Sequence, residues 1–254
     1  MCNLYSHTSN RSAITAMVPD LKRASPSVGN LEPQAGIFPD YLAPIVRCGA
    51  QGRELAMARW GMPTSQYALL QAAKKRAEKL AAKGAEVDFS ELLKAEPDGG
   101  TTNVRNIYDP LKNTWNRHWA RWMGEANRCV VPFTSFSEFD SRVGSDGRKI
   151  GDTWFALNPS RSLAFFAGIW TGGWSGVRKL KTGVEVDLDL FAFLTCEPND
   201  IVGAVHPKAM PVILTEVEEI EMWLTAPKEV AIQLQRPLPN GVLEVVSVGQ
   251  KADP

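Results

Sequence analysis

The sequence predicts an α+β fold, a single domain over residues 1–254 built from mostly antiparallel strands with a few peripheral helices. Three observations carry this reading. Short apolar runs bounded by turn residues recur along the chain, helical periodicity is confined to a few segments, and no solenoid-length repeat or low-complexity tract is present.

Residues 1–60 are β-rich: FPDYLAPIVRCG and ELAMARWGM read as two strands joined by a polar turn around Gln51 and Gly52. From Thr64 or Ser65, both good N-caps, YALLQAAKKRAEKLAAKG places Ala and Leu at helical spacing with a basic opposite face, and Gly84 stands where a C-cap belongs. A short helix, FSELLKAE, ends before the turn at Pro97-Asp98-Gly99-Gly100. The following TTNVRNIYDP is too polar for a core strand and suggests a site. RCVVPFTSFSEF, TWFALN, SLAFFAGIWTG, LFAFLTCE and MPVIL then read as strands, and EVEEIEMWL, acidic in its first turns, as a helix. GRKIGD and GVRKLKTGVEVD read as exposed hairpin tips or loops.

Composition narrows the function. With 44% hydrophobic and 22% charged residues the chain has the make-up of a folded protein and not of a disordered one. No run of about eighteen apolar residues occurs and the first twenty residues lack a basic start and an apolar core, so neither a membrane span nor a signal peptide is expected, and the cytoplasm is the expected compartment. Cys2, Cys48, Cys129 and Cys196 are widely spaced without a CxxC pair, so free thiols are expected, with no disulfide and no metal. A net charge of zero argues against a surface that is basic throughout and leaves room for a local basic groove. Basic residues cluster at Lys74, Lys75, Arg76, Lys79 and Lys83, at Arg117, His118 and Arg121, and at Arg178, Lys179 and Lys181. Each cluster taken alone fits a solvated face.

Cys2 draws attention because removal of Met1 would leave a terminal cysteine carrying both a free amine and a thiol, with ordinary pKa values near 8 and 8.5. An aldehyde forms an imine with such an amine, and attack by the thiol closes a five-membered thiazolidine without metal or nucleotide cofactor. Position two alone is weak evidence.

Its company is not. MCNLYS, LAPIVR, ARWGMP, TNVRN, RCVVPFTSFSEF, FAGIW, FLTCEPN and HPKAMPVIL follow one another over nearly the whole chain. In this combination the sequence resembles the SRAP family (SOS-response-associated peptidase), the abasic-site-shielding proteins. The resemblance implies a barrel-like β core, with residues from about 64 to 100 as a helical insertion. It implies that Cys2 is the covalent nucleophile, that Asn103 holds the reacting terminus, and that Glu138 and His206 act on the leaving oxygen and the ring-opened sugar. Each role is chemically sensible: a glutamate shuttles protons, a histidine titrates near neutrality, and an asparagine positions without changing charge. It further implies phosphate contacts by Arg105 and Lys208, Trp60, Pro44 and Phe139 near the bases flanking the lesion, and Thr195 near the backbone. Read alone, Trp60 and Phe139 fit core packing better. His7 and His118 fall outside the catalytic set. The implied partner is single-stranded DNA containing an abasic site, bound by a monomer that joins the nucleoid when on DNA, with no cofactor.

The chain departs from the family pattern where Asn3 and Leu4 replace the commoner Gly-Arg, where Phe139 replaces a tryptophan, and where Lys208 replaces an arginine and so loses its bidentate fork. Two other readings use the same residues. One is a thiol peptidase in which Cys2 attacks an amide, its own initiator bond included. The other is a noncovalent single-strand-binding module, which zero net charge and Leu4 count against.

Overall fold

In a computed structural model the described residues are 2–49 and 51–253. Met1, whose removal the amine chemistry requires, lies outside them. The chain begins with strand β1 (Leu4–His7) and helix α1 (Arg11–Met17), whose first turn is closed by Asn10 Oδ1 accepting from the Ala13 N–H at 2.9 Å. Strand β2 (Gln34–Ile37) precedes the expected pair β3 (Leu42–Gly49) and β4 (Gly52–Trp60). Helix α2 (Gln66–Ala81) is capped by Ser65, and Gly84 adopts φ +77° just past its end. Helix α3 (Phe89–Lys94) and the short strand β5 (Asn103–Val104) follow. The strands β6 (Arg128–Phe133), β7 (Ser135–Val143), β8 (Lys149–Ala156), β9 (Ala164–Val177) and β10 (Val184–Cys196) come next. A short helix α4 (Asp200–Gly203), strands β11 (Met210–Pro211) and β12 (Ile213–Leu214), helix α5 (Val217–Thr225) and strand β13 (Glu244–Val248) complete the framework.

Strands β4, β3, β6, β9 and β10 pair in that order, each antiparallel to the next, and β10 returns to pair in parallel with β4 through Leu190 with Arg59 and Phe191 with Trp60. The result is a closed, mixed five-stranded barrel in an α+β fold. A second, antiparallel sheet in the order β13-β8-β7-β1-β2 packs beside it. A barrel this small is filled by its own side chains. Phe133 stacks on Phe166 at 3.8 Å between centroids, Trp60 stacks on Phe193 at 5.1 Å, and Tyr5 meets Trp60, Phe166 and Phe193 edge-on. All of these rings are fully buried, each side chain contributing roughly 1.5–3 kcal/mol.

Several expectations need correction. RCVVPFTSFSEF is two strands, because Thr134 leaves the barrel for the second sheet, its N–H donating to Ser6 O at 2.9 Å. GRKIGD is mostly strand, only Gly147 and Arg148 preceding β8, which starts at Lys149. GVRKLKTGVEVD is a hairpin tip as expected, but half of it is strand, β9 running to Val177 and β10 starting at Val184 with residues 178–183 as the turn. Arg178 is not a solvated cation. Its guanidinium is buried, pairs with Asp40 at 3.2 Å and donates to the carbonyls of Asp98 and Gly61 at 3.2 and 3.0 Å. Gly61 (φ +144°) and Gly100 (φ +79°) pass against it, and a Cβ on Gly100 would come within 2.8 Å of the guanidinium.

The same knot closes the segment containing α2 and α3. Asp98 accepts from the N–H groups of Thr64 and Gly100 at 2.9 and 3.0 Å, and Met62 and Thr101 exchange backbone bonds at 2.9 and 2.8 Å. The segment leaves and re-enters the fold at one point, and α2 buries only Ala73. No helix among the described residues is long and apolar enough to cross a membrane, and no cluster of metal-ligating side chains occurs among them. All four cysteines are free thiols.

Candidate active site and nucleic-acid interface

Register places the chemistry. Strand β1 pairs with β7 through Leu4 with Ser137 and Tyr5 with Phe136, which carries the preceding Cys2 toward Glu138. Strand β5 lies parallel to β10, with Asn103 opposite Phe193. From there the Asn103 side-chain amide donates to the Cys2 carbonyl at 2.8 Å and to Thr102 Oγ1 at 2.9 Å. The Thr102 carbonyl in turn accepts from the indole N–H of Trp60 at 3.0 Å, so the barrel core fixes the segment that fixes Cys2. His206 follows α4, its N–H bound to Val202 O at 2.7 Å, and its Nδ1 stands 4.0 Å from Glu138 Oε2.

Cys2, Asn103, Glu138 and His206 are thus gathered from four distant segments. Burial is the dominant electrostatic influence on them. Glu138 is 3% exposed, and burial lifts its carboxyl from an ordinary 4.5 to about 7. Burial, reinforced by the Glu138 charge, pushes the Cys2 thiol well above its ordinary range. Less thiolate is present than in an ordinary cysteine, so the thiol needs a base to be reactive. Burial and the nearby Lys208 charge hold His206 below its ordinary 6.5, leaving the ring neutral at neutral pH. A carboxyl poised near 7 beside a neutral imidazole suits proton transfer.

The proposed nucleic-acid residues divide by exposure. Phe139, next to Glu138 on β7, is 52% exposed, with Lys149 Nζ 5.8 Å from its ring. Lys208 is exposed. Arg105 is half-buried and already engaged, donating to Lys208 O and to the Glu197 carboxylate. Glu197 was not among the expected residues although FLTCEPN contains it; its role is set by Arg105, which lies far away in sequence. Pro44 is buried in β3, and Trp60 is fully buried with no face open to a base. Thr195 is 1% exposed, and its Oγ1 has no hydrogen-bond partner among the described residues. Leu4 is buried, so β1 offers no cation there. His7 is buried, both ring nitrogens lack a partner among the described residues, and burial lowers its pKa to about 4. His118 bonds to Pro63 O at 2.9 Å and stands beside Arg121.

The chain is therefore a closed mixed barrel in which Cys2 is held by Asn103, with the buried Glu138 and the half-buried His206 side by side. The family profile described as SOS response associated peptidase (SRAP) matches residues 99–253, and the protein belongs to the SRAP family. Membership ties it to the DNA-damage response. Its fold is similar to crystal structures of a protein from Bacteroides thetaiotaomicron (19% identity, TM-score 0.61, covering 96% of this chain and 90% of that one) and of a protein from Bordetella bronchiseptica (20%, 0.57, 96% and 97%). A phage-related protein from Bordetella bronchiseptica is similar too (19%, 0.58, 96% and 92%). No curated protein gives a significant match.

Proposed function

We propose that the protein traps the aldehyde of an abasic site in single-stranded DNA as a thiazolidine on Cys2, once Met1 has been removed. The observation that carries the reading is the convergence on Cys2 of Asn103, at 2.8 Å from its carbonyl, and of Glu138, poised near pH 7 beside His206.

The free amine of Cys2 adds to the aldehyde carbon, and loss of one water gives the imine. The thiol then adds across the C=N bond: sulfur bonds to carbon, and the thiol proton passes through Glu138 to the nitrogen. Because burial disfavours a standing thiolate, amine attack comes first and the thiol follows, deprotonated only as it attacks. His206, neutral and beside Glu138, is placed to exchange the proton of the sugar hydroxyl that ring opening releases. Asn103 is a positioning residue. Phe139 offers a stacking face at the rim, Arg105 and Lys208 offer phosphate contacts, and Lys149 supplies a cation beside Phe139. Trp60 acts from below, through its bond to Thr102 O.

A thiol peptidase relying on the Cys2 sulfur alone is less well served, because burial and the Glu138 charge oppose a thiolate and outweigh the backbone groups of Leu4 and Ser137 that favour one. The test is a denaturing gel of processed protein with a single strand carrying one abasic site, beside Cys2→Ala and an undamaged strand. A band that resists denaturation, needs the lesion and vanishes in Cys2→Ala is expected. Its absence from protein proven by mass to begin at Cys2 would refute the proposal.

A further inference from the structure

Next to the clamp is a cleft of about 410 Å³ that the trapping chemistry does not use. Its lining includes Arg105, Tyr108, Pro110, Thr195, Ile232 and Gln233. We infer that this cleft receives the nucleobase of a nucleotide adjacent to the lesion, so that the protein reads a neighbouring base as well as the missing one. The inference rests on the proposed binding of a single strand.

Position comes first. Thr195 lies two residues beyond Phe193, and Phe193 is the register partner of Asn103. At about 3.3 Å per residue the cleft begins about 7 Å along the strand from the residue that clamps Cys2. Stacked DNA advances about 3.4 Å per nucleotide, so a base one or two positions from the lesion reaches that far.

Chemistry comes second. Tyr108, Pro110 and Ile232 give apolar and aromatic surface, while the Gln233 amide and the Thr195 hydroxyl supply hydrogen-bonding groups, the mix that a heteroaromatic ring with polar edges needs. The Thr195 hydroxyl is almost wholly buried and lacks a partner among the described residues, a state that costs free energy unless a ligand or water completes it. Arg105 stands at the same cleft, where a cation meets the phosphate attached to the base.

Rigidity comes third. One side-chain amide, from Gln235, donates to Arg105 O at 2.7 Å and to Thr195 O at 2.9 Å, tying two sides of the cleft together. A rigid cleft loses little entropy on binding.

The test uses the full chain and a fluorescent single-stranded oligonucleotide with a tetrahydrofuran residue at its centre, an abasic analogue that has no aldehyde and so reports binding without covalent chemistry. A second base-less residue is placed at each flanking position in turn. At one position its presence should weaken binding about tenfold, within the range for losing one base–aromatic stack. Gln233→Trp, which fills the cleft from an exposed position, should abolish that dependence, and Gln233→Ala should reduce it. Equal affinity for all the flanking variants, no measurable binding, or a dependence unchanged in both Gln233 variants would overturn the inference. Crosslinking of a natural abasic strand, run in parallel, separates the two claims. Crosslinking without a positional effect sinks only the cleft, and a Gln233-dependent positional effect without crosslinking supports the cleft while sinking covalent trapping.

Discussion

Glu138→Gln should make the protein more stable while disabling it, and the gain should depend on pH in a defined way. Burial lifts the Glu138 carboxyl from 4.5 to about 7, so between those values the folded protein holds a proton that the unfolded chain releases. Stability then falls as pH rises through this window, because the folded state binds more protons than the unfolded one. At about 1.36 kcal/mol per pH unit the charged carboxylate costs on the order of 3 kcal/mol above pH 7. Glutamine keeps the shape and never ionises. The two proteins should melt alike near pH 4, and the variant should gain from pH 4.5 upward and level off above pH 7. For a chain of this size, about 2–4 °C per kcal/mol makes the plateau roughly 6–12 °C. Comparing the two proteins is essential, because His7 has the opposite slope. Its pKa is lowered to about 4, so the stability it withholds in acid returns as pH rises from 4 to 6.5. In the wild type the two trends partly cancel; in the difference only Glu138 remains. Melting curves from pH 4 to 9 decide it: a difference that is independent of pH, or a variant less stable at pH 8, would refute the burial argument.

Thr195→Val should raise the melting temperature by the equivalent of about 1 kcal/mol, since it removes a buried hydroxyl without a partner among the described residues, while weakening single-strand binding; a loss of stability would show that the hydroxyl is satisfied. Glu197→Gln frees Arg105 from its carboxylate partner, so affinity for single strands should rise and the plot of log affinity against log salt should steepen by about 0.7. An unchanged slope would remove Arg105 from the phosphate contacts. Replacing residues 66–96 with a short Gly/Ser linker should leave crosslinking by Cys2 intact, because Met62 and Thr101 already bond across the base of the segment. Loss of crosslinking in a folded variant would make the insertion part of the site.

Much of the barrel is legible in the sequence because its strands are apolar runs with clear ends, as in LAPIVRCG and AFFAGIW, and α2 is legible because Ser65 and Gly84 mark its limits. What is hidden is decided at long range. RCVVPFTSFSEF contains no glycine, and its break at Thr134 exists because Ser6, far away in sequence, takes the Thr134 N–H. Helix α1 buries only Ile14, too little to produce a periodic signal. Strand β13 is half-exposed and exists through its pairing with β8. The site is similar. Motifs pick out Cys2, Asn103, Glu138 and His206, yet their juxtaposition follows from pairings between β1 and β7 and between β5 and β10, which no local pattern encodes. The direction in which the Cys2 thiol is pushed is invisible for the same reason, since it depends on how deeply the fold sinks the residue.

That depth sets the expected pH dependence of trapping. On the proposed reading two groups must be in their basic forms together: the Cys2 amine, whose ordinary pKa is near 8, and Glu138, poised at about 7. His206 is held below 6.5 and does not change charge above neutrality. The rate of adduct formation should therefore climb steeply from pH 6 to about 7 and more gently to about 8, where the amine is largely neutral. In Glu138→Gln the steeper limb should disappear and the amine limb should remain, at a rate lower by roughly two to four powers of ten. If the wild-type rate instead falls between pH 6 and 8, the protonated form of Glu138 is the one that acts, as an acid expelling water from the carbinolamine. In that case the thiol must find its base elsewhere, and Glu138 does not carry the thiol proton to the nitrogen.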